Sequence, residues 1–189
     1  YTEHALFRAP HKPLLLLSIL ELIESKVITE NRIEPSSDLV EAFWSYTSKV
    51  PQGRRLHLWL PFHHMQSESF WELIDHEGNV STQKSQPKSV RRLRNRISHA
   101  RFSSTVWNRL QSPEGVKSAK RTILEYHFSR EAMNALNGQG KINLETTRLY
   151  DTLSDDQGSP EGTEKPVRDR LFRKRIQNAY QHRCAFSGL

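Results

Sequence analysis

Cysteine is all but missing from this chain: Cys184 is its single example in 189 residues. One thiol cannot form an internal disulfide, so packing must hold the fold, and a reducing cytoplasm is the expected location. Long apolar runs are missing as well. "LLLLSIL" passes at once into the charged "ELIESK", far short of the roughly eighteen apolar residues a membrane span requires. No secretory signal is visible, and no membrane partner is expected. A hydrophobic content of 35% is low for one core spread over the whole length, which points to polar linkers.

Acidic residues are the next shortage, and it is local. The formal charge is +7, but between Lys84 and Arg130 twelve basic residues face only Glu114 and Glu125, a net +10. That is the electrostatic footprint of a phosphate-backbone binder, because neutralising phosphates releases condensed counterions. The plainer reading is a solvated basic helix face. Arginine outnumbers lysine eight to four in this stretch, which favours phosphate, since a guanidinium offers a bidentate fork.

The apolar pattern divides the chain. "RAPHKPLLLLSILELIESKVI" predicts a buried helix with apolar residues on more than one face and Pro13 in its first turn. "PSSDLVEAFWSYTSKV" predicts a second helix capped by Ser36 or Ser37, and "VITENRIEP" between them a short strand or turn. Leu56, Leu58 and Leu60 alternate with His57 and Trp59, a strand-like period that Pro61 ends. "FWELI" into "DHEGNVST" reads as a strand entering a hairpin turn. A basic helix "PKSVRRLRNRI", a break at "SHARFSS" and two further helices, "STVWNRLQ" and "PEGVKSAKRTILEYHF", follow. The expected fold class is α+β: a predominantly helical domain over 1–130 with a short β-hairpin. A polar linker over 131–166 and the restart of a second module over 167–189 complete the plan.

The restart, "RDRLFRKRIQNAYQHRCAFSGL", resembles the lead-in helix and first strand of HNH nucleases, a ββα-metal fold. The resemblance implies that the histidines and divalent metal of that module lie downstream of Leu189, so no cofactor is expected in this chain, which reads as a truncated, non-catalytic piece. Further upstream, "APHKPLLLLSILELI", "LPFHHMQSESFWELI" and "RISHARFSSTVWNRL", in that order, resemble the sulfur-binding domain of phosphorothioate-dependent type IV (Mcr-like) restriction endonucleases. What this implies is binding to double-stranded DNA in which sulfur replaces one non-bridging phosphate oxygen in the Rp configuration. By motif position His11 and Lys12 match the basic pair beside the sulfur, while Leu60, Pro61 and His64 match the cavity wall. The chain departs from the family pattern in three places: Lys12 stands for arginine, Leu60 for tyrosine and His64 for alanine.

The chemistry of such a reader is simple. Sulfur is larger, more polarisable and a poorer acceptor than oxygen, so an apolar dent beside cationic groups favours it. An oxygen pushed into the same dent forfeits water without gaining a partner, at about 1–3 kcal/mol per unmade hydrogen bond. The remaining DNA contacts expected are Arg8, Arg91, Arg94 and Arg96, with Ser98, His99, Ala100 and Arg101 in the turn after the basic helix. Arg96 or Arg101 is the choice for a guanine edge, the other arginines for phosphates.

Duller readings compete. Trp44, Trp59, Phe70, Trp71 and Trp107 are expected in packing rather than stacked on bases. His63 and His64, on an extended segment, would point apart and have no third ligand nearby, so no metal site is expected. Rival functions are a reader of 5-methylcytosine, which would need an aromatic cage for a flipped base, and a general DNA-binding or dimerisation domain. A homodimer is expected, if at all, through the parent nuclease. An intact enzyme is the least expected reading, since no acid/base constellation is visible.

Overall fold

In the computed structural model of the chain the described residues are 10–50 and 56–137. They fall within the first of two compact units, residues 1–152 and 153–189. Arg8, residues 138–166 of the expected linker and the 167–189 module lie outside them. The order is α1 (His11–Glu24), α2 (Ser37–Thr47), α3 (Trp59–His64), a 3-10 turn (Met65–Ser67), β1 (Trp71–Ile74), α4 (Val90–Arg96), β2 (His99–Phe102), α5 (Ser104–Leu110) and α6 (Pro113–His127). The architecture is α+β and mostly helical, with two antiparallel strands.

Helix α1 is the axis of the domain. Ten of its fourteen residues are buried, because α2, α3 and α6 pack on different sides of it, as an all-round apolar helix demands. Its two buried polar side chains are each hydrogen-bonded. The Ser18 hydroxyl donates to the Leu14 carbonyl at 2.7 Å, and the Tyr46 hydroxyl of α2 hydrogen-bonds to the Glu21 carboxylate. Burial and that carboxylate together push the Tyr46 phenol far up, so the bond keeps its proton at any ordinary pH.

The helix ends follow from local chemistry. Ser36, Ser89 and Ser112 cap α2, α4 and α6 by accepting from Leu39, Arg92 and Gly115 N–H at 3.2, 3.1 and 3.1 Å. At the end of α1, Lys26 N–H bonds to Ile23 O and Val27 N–H to Leu22 O, a Schellman closure with Lys26 at φ 60° in the left-handed position that usually takes glycine.

The two strands pair with Glu72 opposite Arg101 and Leu73 opposite Ala100. Single bridges extend the ribbon on both sides, Ile33 beside Ala100 and Val80 beside Ile74. Leu73, Ala100 and Ile33 face inward and are wholly buried or nearly so. Trp71 links this ribbon to α3, standing edge-on to Phe62 and Phe102, both at 5.3 Å between ring centroids.

Several expectations need correction. The strand-like alternation at 56–60 becomes helix α3 from Trp59; Leu56 and Leu58 are indeed buried on either side of exposed His57, but Pro61 falls in the first helical turn, where a missing N–H costs nothing. The break expected at "SHARFSS" contains β2. Its partner strand comes from before the Asp75–Asn79 turn, and the expected hairpin is reduced there to the Ile74–Val80 bridge, with Gly78 at φ 86°. Trp44 is half exposed on α2 rather than packed away. Residues 130–137 are helical and Leu136 is buried in the core, so the packed part of the chain runs past the expected boundary at 130.

Two substitutions test this description. A Cβ on Gly115 would sit 1.7 Å from the Arg109 carbonyl oxygen, so Gly115→Ala is expected to destabilise the domain by about 1–3 kcal/mol in urea unfolding. Lys26→Gly relieves the left-handed strain and is expected to raise stability by about 1 kcal/mol in the same assay.

Candidate nucleic-acid interface

Two clusters contain most of the site residues expected from the sequence. The first lies where the start of α1 meets the end of α3. Lys12 donates to Glu68 Oε1 at 2.5 Å and to Ser67 Oγ at 3.0 Å, and this bond holds the Glu68 carboxyl below its usual range. His11 is half buried, and its pKa is lowered by burial first and by the neighbouring His64 second. His11 and Lys12 are thus brought to residues more than fifty positions away. Of the two apolar candidates, Leu60 is partly exposed and Pro61 is buried, while His64 is exposed. Leu60 therefore keeps more surface for a ligand than Pro61 does.

His63 has a different role from its neighbour. On helix α3 the two rings stand edge to face, 5.6 Å apart, not splayed along a strand. His63 is buried, within 3.1 Å of the Gln66 side-chain nitrogen. Burial lowers its pKa first, His64 and Arg96 lower it further, and a hydrogen bond with the Lys84 backbone opposes them. It is a packing group between α3 and the segment before α4.

The second cluster surrounds β2 and α4. Arg91 and Arg92 project from α4 into solvent, with Leu93 the only buried residue of that helix. Arg94 is committed locally, its Nε donating to the Pro35 carbonyl at 2.6 Å. Arg96 donates from Nη1 to both the carbonyl and the hydroxyl of Ser85, at 3.0 and 3.1 Å. It pins the loop before α4, which makes it a poorer choice for a guanine edge than Arg101. Arg101 is half exposed, and its Nε donates to Glu72 Oε2 at 2.7 Å.

The turn 98–101 differs from expectation in one respect. Ala100 is completely buried, and its N–H and carbonyl are both bonded to Ile33 at 2.8 Å. With no exposed atom and no spare backbone group it cannot contact DNA, and Ser98 N–H is likewise taken by Ile74 O. What this turn can offer is side chains: Ser98, His99 and Arg101.

Arg32 is the residue that sequence reasoning missed. Its Nε donates to Glu34 Oε1 at 2.7 Å and its Nη2 to Ser98 Oγ at 3.0 Å. The His99 pKa is lowered first by burial, then by Arg32, with Glu34 opposing and Arg101 adding to the fall. A lone "NRIE" carries no signal for this; the only clue was that "VITENRIEP" read as a possible strand. A separate groove at α6 is lined by Lys117, Lys120 and Arg121 together with Glu24, Glu114 and Glu125, and the mixed signs give it no net attraction for a polyanion.

Among the described residues no group of three or more His, Cys, Asp or Glu is disposed to hold a metal, and none of their helices is long and apolar enough to cross a membrane. No family model and no curated protein matches the chain.

The three lowered histidines, His11, His63 and His99, set a pH dependence. Each folded pKa lies below the ordinary 6.5, so the unfolded chain takes up protons more readily. Their contribution to stability is complete above pH 6.5 and is lost as the pH falls through the folded values. Urea unfolding at pH 7.5 and 5.5 is expected to show lower stability at the acid value, with the difference diminished in His63→Gln; a flat profile would contradict the assigned surroundings.

Proposed function

We propose that this domain binds duplex DNA bearing an Rp phosphorothioate and serves as the recognition part of a modification-dependent HNH endonuclease. The observation that carries the reading is the meeting of His11 and Lys12 at the start of α1 with His64, Ser67 and Glu68 at the end of α3. These are the two stretches that the sulfur-binding resemblance assigns to one cavity, and nothing in their sequence separation requires them to touch.

The division of labour follows from the chemistry on each surface. Arg91 and Arg92, exposed and without an acidic partner among the described residues, supply sequence-independent attraction to phosphates. Lys12, tethered rather than buried, supplies a cation beside the modified linkage. Leu60, with Pro61 behind the same turn of helix, supplies the apolar contact at which sulfur outcompetes a solvated oxygen. The cleavage step belongs to the HNH module that the restart at 167–189 resembles.

The test is a titration of the chain against one duplex made with Rp phosphorothioate, with Sp phosphorothioate and without sulfur, at near-physiological salt. Clear preference for Rp is expected, and Lys12→Ala is expected to weaken Rp binding by about tenfold, as for loss of one charge-assisted hydrogen bond. Equal, salt-sensitive binding to all three duplexes would contradict the sulfur reading and leave a general DNA binder.

A further inference from the structure

The outer face of the strand ribbon carries a pattern that phosphate binding does not explain. Ile33 pairs with Ala100, so the antiparallel register sets Arg32 beside Arg101 and Glu34 beside His99, while Glu72 faces Arg101 from the other side. The inward set, Ile33, Ala100 and Leu73, is buried; of the alternate positions, Arg32, Glu34, Glu72, His99 and Arg101 are at least partly exposed, while Ile74, opposite His99, is buried. Two guanidinium groups in neighbouring positions would repel each other, and each is braced by a carboxylate through its Nε, at 2.7 Å in both cases. Bracing at Nε restricts the plane of each guanidinium, and Arg32 is held further by its Nη2 donating to Ser98 Oγ at 3.0 Å, which leaves its Nη1 for a ligand. For Arg101 no described residue occupies the Nη edge.

The charge balance decides what this face suits. Two arginines and two glutamates sum to about zero, and burial first, then Arg32 and Arg101 against the opposing Glu34, lower the pKa of the histidine between them. A backbone-binding surface gains nothing from two carboxylates, which repel phosphate. A surface that reads base edges gains from both signs: guanine presents O6 and N7 as acceptors to an arginine, and cytosine presents N4–H as a donor to a carboxylate. The basic but acid-free exposed face of α4 is the complement, suited to phosphate alone.

We infer that Arg32 and Arg101, positioned by Glu34 and Glu72, form a sequence-reading plate that selects G·C pairs in the major groove next to the modified linkage. This rests on the DNA-binding reading above and adds to it a determinant of sequence context. Arg32 and Arg101 touch the bases; Glu34 and Glu72 act through them.

The test measures affinities of the full chain for a set of duplexes that share one Rp phosphorothioate and differ by single G·C to A·T replacements beside it. For the unaltered chain, the best context is expected to exceed its poorest single replacement by about tenfold or more, the range of one bidentate base contact. Arg101→Met and Arg32→Met are each expected to flatten that ratio toward one while Rp remains preferred over Sp. Glu72→Gln keeps the shape of the brace and removes its charge, and is expected to reduce selectivity partially with the salt dependence nearly unchanged. Arg91→Gln, by contrast, is expected to weaken all duplexes alike and lower the salt slope by about one. Uniform weakening across contexts by the Arg32 and Arg101 variants, or an unaltered ratio, would overturn the plate and leave the sulfur reading intact. Absence of DNA binding by the unaltered chain overturns both. All four side chains of the plate are near half exposed, and circular dichroism melting confirms that each variant is folded before it is scored.

Discussion

Everything in this domain is arranged around the burial of α1. A helix apolar on all sides cannot rest against one neighbour, and α2, α3 and α6 close on it from different directions. Two functional consequences follow. Wrapping α3 against α1 delivers His64, Ser67 and Glu68 to the exposed start of the same helix, where His11 and Lys12 stand. The first turn of α1 keeps its polar residues, His11 and Lys12, partly exposed, so an otherwise largely enclosed helix can meet a ligand there.

The second organising constraint is the short ribbon. Four residues of β1 and four of β2 are too few to be stable alone, and single bridges from Ile33 and Val80 widen them. Trp71 ties the inner face to α3 through its edge-on contacts with Phe62 and Phe102. The outer face is thereby made rigid, and a rigid face is what turns exposed Arg–Glu pairs, individually worth about 0–1 kcal/mol, into oriented groups. Their value lies in geometry more than in stability.

The sequence made the long helices legible because their apolar spacing and serine caps are local signals. Helix α3 was misread for a physical reason. Leu56 and Leu58 really do alternate with exposed His57, and the switch to helix at Trp59 is driven by burying Phe62 and Met65, which no local rule announces. The strand β2 was hidden because its partners, β1 and Ile33, come from distant parts of the chain. Of the candidate site, the basic stretch and the start of α1 could be found from residue type. Ala100 was wrongly included because a small residue in a turn suggests backbone access, whereas here it fills a gap in the core. Arg32 could not be found at all, since its place beside Ser98 and Arg101 exists only through strand register.

The proposed account assigns different work to two clusters: sulfur at the junction of α1 with α3, and sulfur-independent DNA contact at the ribbon and α4, with bases read by the ribbon and phosphates held by α4. Amide and side-chain chemical-shift mapping of the full chain, with an Rp phosphorothioate duplex and with its unmodified twin, separates them in one measurement. The account expects shifts that depend on sulfur at His11, Lys12, His64 and Ser67, and shifts common to both duplexes at Arg32, His99, Arg101 and Arg91. Sulfur-dependent shifts confined to other regions, such as the groove beside α6, or no difference between the two duplexes at all, would contradict it.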